Sequence, residues 1–281
     1  MENIKEYVDR CVAFGKPVQY CGLDVQPIKV KDFYLFQNAQ DVLKINKNKI
    51  PDIEIIQMTY LKFLALMMCE SVEMREDFLT LLALTLGLKY DATSRNMDFP
   101  PNEMLAQQLR HNETMLNING WDVSFKIGDN QSSMILYRND DKIEINDEQF
   151  DELCHIWLYQ NIYDYDDMEM SDDFRKVVED YYRLKNKDIL IPTLEDRMLA
   201  VVVSSSYTLE QLYELPLRLF DALFEYSVSK LDYEINKLIV NLSPHDTKGF
   251  NLSHWVYKTK KDKYSEIFTD AQELVKKVTS I

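Results

Sequence analysis

The stretch Met115-Leu116-Asn117-Ile118-Asn119-Gly120-Trp121-Asp122-Val123-Ser124-Phe125-Lys126-Ile127 decides the fold class. Its residues alternate between apolar and polar, the period of a strand with one covered face. Asn119-Gly120 interrupts the alternation with a dipeptide suited to a two-residue hairpin turn. Met134-Ile135-Leu136-Tyr137 and Lys142-Ile143-Glu144-Ile145 continue the pattern, set off by Gly128-Asp129-Asn130 and Asn139-Asp140-Asp141. Four short strands joined by Asn/Asp/Gly turns predict a small antiparallel β-meander around residues 113–146.

On either side of the meander the period is helical. Upstream, a helix is expected over Ile4–Phe14, then a hairpin pairing Val18-Gln19-Tyr20 with Val25-Gln26-Pro27-Ile28 around Gly22. A helix starting near Asp32 carries Phe33, Phe36, Ala39, Val42 and Leu43 on one face. Ile50-Pro51 breaks the chain, because the residue before proline is pushed out of the helical region. Ile53–Met68 and Arg75–Leu86 follow as two helices apolar nearly all round, the mark of burial. Residues Asp91–Pro101 read as a loop. Downstream, Asn146 or Asp147 caps a helix with Phe150, Leu153, Cys154 and Trp157 at three- and four-residue spacing. Thr193 caps a helix through Leu199–Val203, and Thr208 with Gln211 has the form of a capping box. A long amphipathic helix then carries Leu219, Phe220, Leu223, Phe224, Leu231, Ile235, Leu238 and Ile239, ended by Pro244 and Gly249. The expected fold is α+β and predominantly helical, a helical body with a β-meander insert. Its expected parts are 1–90 (hairpin plus helices), 91–146 (loop and meander) and 147–281 (helical), with the acidic run Tyr163-Asp164-Tyr165-Asp166-Asp167-Met168-Glu169 as a boundary.

Composition narrows the function classes. The 281 residues carry 47 acidic and 32 basic side chains, a formal net charge of −15. Such a body repels phosphate backbones and anionic membranes at long range, so nucleic-acid and membrane partners are disfavoured. The one short basic cluster, Lys258, Lys260, Lys261 and Lys263, reads as a solvated helix start or loop. No apolar run is long enough to span a bilayer, and the N-terminus has no basic region followed by an apolar core. The expected location is therefore the cytoplasm, with Cys11, Cys21, Cys69 and Cys154 as free buried thiols.

The motifs of common chemistries are missing. Phosphate cradles need clustered glycines at a helix start, and the 6 glycines here lie at least seven residues apart. His111, His155, His245 and His254 form no metal-binding spacing. Cys154 and His155 project about 100° apart on one helix and make poor joint ligands. Ser204-Ser205-Ser206 reads as the small-residue end of a packed helix. Acidic pairs such as Asp166-Asp167 and Asp172-Asp173 are what so acidic a chain produces by chance. No catalytic, cofactor-binding or metal residue is assigned, and the expectation is a binding protein without enzymatic activity. Flexible thioethers suit surfaces that re-pack around a partner, so Met168 and Met170, with Tyr163 and Tyr165 in the same acidic run, are candidate partner-binding residues.

Two segments carry a family resemblance. Pro17-Val18-Gln19-Tyr20-Cys21-Gly22-Leu23-Asp24-Val25-Gln26-Pro27-Ile28, with Lys31-Asp32-Phe33-Tyr34 and Ile50-Pro51-Asp52, is similar to the start of tail-morphogenesis proteins of phages and prophages of Gram-positive bacteria. Thr208-Leu209-Glu210-Gln211-Leu212-Tyr213-Glu214-Leu215-Pro216, the long helix, and Phe250-Asn251-Leu252-Ser253-His254-Trp255-Val256 resemble the C-terminal part of phage tail-assembly chaperones. The resemblance covers about a third of the chain, and the meander has no counterpart in it. It implies a cytoplasmic assembly factor of the host cell that holds the coiled-coil-prone tape-measure protein until tail-tube subunits polymerise around it. It brings no catalytic residues. His254 and Trp255 join the candidate contacts, beside the simpler reading of a buried aromatic anchor and a solvent-facing histidine. Rival readings are a structural virion component (neck, tail-completion or baseplate-associated), an acidic DNA mimic that inhibits a host protein, and an enzyme with a carboxylate site.

Overall fold

The computed structural model describes residues 3–86, 114–118, 121–128, 131–138, 141–165, 192–242 and positions 178, 180, 181, 254 and 256. Among them lie nine α-helices, a two-stranded sheet and a four-stranded sheet. The fold is α+β and mostly helical, and it divides into two compact units. The first spans Met1–Tyr165 with Glu210–Asp221, and the second Asp166–Leu209 with Ala222–Ile281.

The first unit opens with α1 (Ile4–Ala13), capped by the Asn3 side chain, which accepts from the Lys5 amide. The hairpin of β1 (Val18–Tyr20) and β2 (Leu23–Val25) follows, paired Val18 to Val25 and Tyr20 to Leu23. Its two-residue turn, Cys21-Gly22, has φ of 48° and 83°. Both angles are left-handed, as the turn that matches strand twist requires. The second strand ends earlier than its apolar pattern suggests, because residues 26–30 take other partners. The Gln26 amide donates to the Thr85 carbonyl (2.6 Å) and the Val30 amide to the Leu215 carbonyl (3.0 Å). The Ile28 amide donates to Asn161 Oδ1 (2.8 Å), and Gln160 Nε2 donates to the Val25 carbonyl (3.0 Å).

Helix α2 (Phe33–Ala39) runs into a 3₁₀ turn at Gln40–Leu43. The apolar segment 53–68, expected as one helix, is two: α3 (Ile53–Gln57) and α4 (Tyr60–Glu70). Met58 is extended, and the Thr59 side chain accepts from the Lys62 amide to start α4. The Ser71 side chain caps α5 (Val72–Thr85), which begins three residues before the expected Arg75. Strands β3 (Thr114–Ile118), β4 (Trp121–Ile127), β5 (Ser132–Arg138) and β6 (Asp141–Asn146) form a meander in sequence order, with a register shift between Thr114 and Leu116. Asn146 ends β6 and caps α6 (Asp147–Asn161) in a reciprocal box with Gln149. The strand therefore turns into the helix without a loop.

In the first unit the four-stranded sheet shares a core with α5 and α6. Val123 and Phe125 stand opposite Leu136 and Met134 in register, and all four are fully buried. Phe78 of α5 lies 6.0 Å from Phe125 and 6.2 Å from Phe150, ring centre to ring centre. Trp157 meets Phe150 edge-on at 6.2 Å. These four rings join α5, β4 and α6, and aromatic pairs in such tilted and edge-on arrangements add to the apolar burial itself.

The second unit contains α7 (Leu194–Ser204), opened by a capping box of Thr193 and Asp196, with Leu194, Met198 and Val201 buried. Ser204 and Ser205 donate their hydroxyls to the Ala200 and Val201 carbonyls of that helix. Helix α8 (Leu209–Tyr213), in the first unit from Glu210, and helix α9 (Leu217–Leu242) are the last described helices. The loop expected at Asp91–Pro101, the stop at Pro244 and Gly249, and the lysines Lys258–Lys263 lie outside the described residues. The four cysteines are free; Cys154 is buried, whereas Cys11, Cys21 and Cys69 are half-buried rather than enclosed as expected.

Candidate functional site

Helix α9 begins where the chain leaves the first unit's core. The Phe220 amide donates to the Pro216 carbonyl (3.0 Å), and the Leu217 amide donates to the Ile28 carbonyl (2.7 Å). Arg218 donates to the Tyr159 carbonyl and to Asp9 Oδ1, each at 2.6 Å. Lys29 and Lys31 both reach the Glu214 carboxylate at 2.6 Å, which holds that carboxyl down to about 2. Leu217 and Phe220 are buried. The first turn of α9 is therefore anchored by backbone, ionic and apolar contacts.

From Ala222 onward the helix belongs to the second unit, and from Val228 its polarity is the reverse of an ordinary packed helix. Val228, Leu231, Ile235, Leu238 and Leu242 are exposed, Leu238 at 59% and Leu242 at 77%. Their spacing of three, four, three and four residues is the seam of a coiled coil. Ala222, Tyr226, Ser229, Tyr233, Asn236 and Val240 are half-buried instead. At about 100° per residue the two rows lie on nearly opposite sides of the helix. The more polar row is the more covered one, and the apolar row faces outward. Glu225 and Asp232 border the seam on one side and Glu234 on the other, all exposed. Lys230 lies 4.0 Å from Glu234, on the side away from the seam.

The residues singled out from sequence are distributed as follows. Tyr163 and Tyr165 are half-buried at the end of the first unit, and the Tyr165 ring meets Tyr159 edge-on at 5.5 Å. Asp164 between them has a φ of 58°, a turn conformation that aspartate tolerates better than most residues. His254, in the second unit, is exposed, with its ring 5.2 Å from Tyr233. Met168, Met170 and Trp255 lie outside the described residues. The amphipathic helix read from the sequence carries Leu231, Ile235 and Leu238. The signal for a seam was their three-four spacing together with the Tyr/Ser/Asn character of the opposite side.

Among the described residues, no group of three or more His, Cys, Asp or Glu side chains is placed to hold a metal ion. Cys154 is enclosed and burial pushes its thiol up, away from the thiolate, while its neighbour His155 faces outward and stacks on Tyr159 at 5.9 Å. Burial and a hydrogen bond to Glu152 push the Tyr20 phenol up. No described helix is long and apolar enough to cross a membrane. No family model matches the chain, and neither a curated protein nor a solved structure is significantly similar to it.

Proposed function

We propose that the chain is a non-enzymatic assembly protein of the phage-tail type that holds an amphipathic helix of another protein on the seam of α9. The tape-measure protein is the proposed client, and the host cytoplasm the proposed place of action. The observation that carries the reading is the outward-facing row Val228, Leu231, Ile235, Leu238 and Leu242. A row of large aliphatic side chains at coiled-coil spacing, left in water, is costly to solubility unless a partner covers it. A helix laid along such a row buries apolar side chains at matching intervals. The net charge of −15 keeps the uncovered protein dispersed in the meantime. The resemblance of 208–216 and 250–256 to tail-assembly chaperones names the client, and a tape-measure protein supplies helices of this kind over a great length.

The test is co-expression with the protein of a very long helical reading frame encoded next to this one, followed by affinity capture and a search for this chain in purified particles. A complex in the cell, with the chain absent from particles, is the expected result. No complex, together with presence of the chain in particles, would overturn the chaperone reading in favour of a virion component. A neighbourhood without any such reading frame would also count against it.

A further inference from the structure

The seam of α9 has an asymmetry of charge that narrows what can lie on it. In a pair of helices, the residues bordering the apolar seam face those bordering the partner's seam and set partner choice. Here the charged borders, Glu225, Asp232 and Glu234, are all acidic, and the remaining border positions Ser227, Ile239 and Asn241 are uncharged. The lysines of this helix stretch, Lys230 and Lys237, stand further round, beyond the border on the Glu234 side. A second copy laid antiparallel on the seam would set acidic borders against acidic borders, and each copy brings a net charge of −15. Like charges in that arrangement repel.

We propose that the helix held by α9 is one with basic borders: aliphatic residues at three-four spacing, with lysine or arginine on both sides of the row. This rests on the reading of α9 as a holding surface and specifies its partner. The apolar row supplies most of the affinity, because it is what leaves water. The acidic borders choose among amphipathic helices, and the net negative charge of the chain speeds the encounter. Selectivity is accordingly salt-dependent, whereas contact along the row is much less so.

The test uses the full chain and two synthetic helical peptides of about three heptads. Both carry Leu and Ile at the seam positions; one has Lys at every border position and the other Glu. Binding is read by fluorescence anisotropy at low and moderate salt. The Lys-bordered peptide is expected to bind on the order of tenfold more tightly at low salt, with a smaller ratio at moderate salt. The triple variant E225Q/D232N/E234Q should bring the two affinities together, and I235A/L238A should weaken both. All five positions are exposed, so circular dichroism of the variants should match that of the unaltered chain, and the two-peptide comparison needs no variant. Equal binding of both peptides would overturn the basic-border proposal and leave the holding function standing. Binding of neither would overturn both. Undiminished binding of the Lys-bordered peptide to I235A/L238A would show attraction to the general negative field rather than to the seam, and would overturn both as well. A dimer in sedimentation that I235A/L238A dissolves would put a second copy on the seam and overturn the basic-border proposal.

Discussion

Asn161 does two things at the last turn of α6. Its Oδ1 accepts from the Ile28 amide at 2.8 Å, and its Nδ2 donates to the Trp157 carbonyl at 2.9 Å. The side chain is 1% exposed, so neither partner has water in reserve. Asn161→Ala should cost about 2–3 kcal/mol, chiefly by stranding the Ile28 amide, seen as a lower urea midpoint with an unchanged slope. Asn161→Asp keeps the acceptor but buries a charge and loses the donor. It should be the less stable of the two at pH 7 and recover as the pH falls, because burial raises its carboxyl and favours the protonated form. An Asn161→Ala chain as stable as the parent would show that the bond from the Ile28 amide to Asn161 does not help to hold the first unit together. None of this was legible in the sequence. A polar residue at a helix end reads as a surface position or a cap, and its use as a clamp depends on a strand exit 133 residues away.

At the scale of elements, α9 shows how one helix can be indispensable at one end and exposed at the other. Phe220 is fully buried, and Phe220→Ala should cost about 3–5 kcal/mol of stability. Leu238→Gln, on the seam, should move the unfolding midpoint by no more than about 0.5 kcal/mol, while reducing the binding of an apolar dye. Equal costs at the two positions would mean that the seam is covered within the molecule. The local elements were readable from the chain: alternation with Asn/Gly turns for the meander, Asn146 and Thr193 for helix starts, and Thr208 ahead of α8. The break between α3 and α4 is hard to read because Ile53–Met68 is apolar nearly all round, and the Thr59 cap that divides it has no downstream acid to announce it. The seam is hidden in the sequence for another reason. An apolar helix row reads as core, and only the structure shows which row of α9 is the covered one.

Across the whole molecule, acidity sets how stability depends on pH. Burial pushes the Asp32, Asp77 and Asp151 carboxyls up, and for Asp77 and Asp151 the nearby Glu73 and Asp147 add to it. A carboxyl whose pKa is higher folded than unfolded favours the folded chain when protonated. Its penalty is present at pH 7 and is relieved as the pH falls through the folded value. Self-repulsion at a net charge of −15 acts in the same direction. Glu214 is the counterweight. Its two lysine partners hold it to about 2, so its contribution is present above the ordinary glutamate value and is lost as the pH falls toward about 2. Glu144, paired with Lys142, and Asp196, bonded to Thr193, are shifted down as well and act alike. The thermal midpoint should therefore rise from pH 7 toward the upper edge of the carboxylate range, pass through a maximum, and fall at lower pH. Added salt should raise the midpoint at pH 7 more than at the maximum, because repulsion is what it screens. In Glu214→Gln the acid-side fall should begin from a lower plateau and be shallower, since the contribution that titrates away is already gone. Melting curves across pH 2–8 at two salt concentrations measure all three effects. A midpoint that falls steadily from pH 7 downward would show that the paired carboxylates outweigh the buried ones.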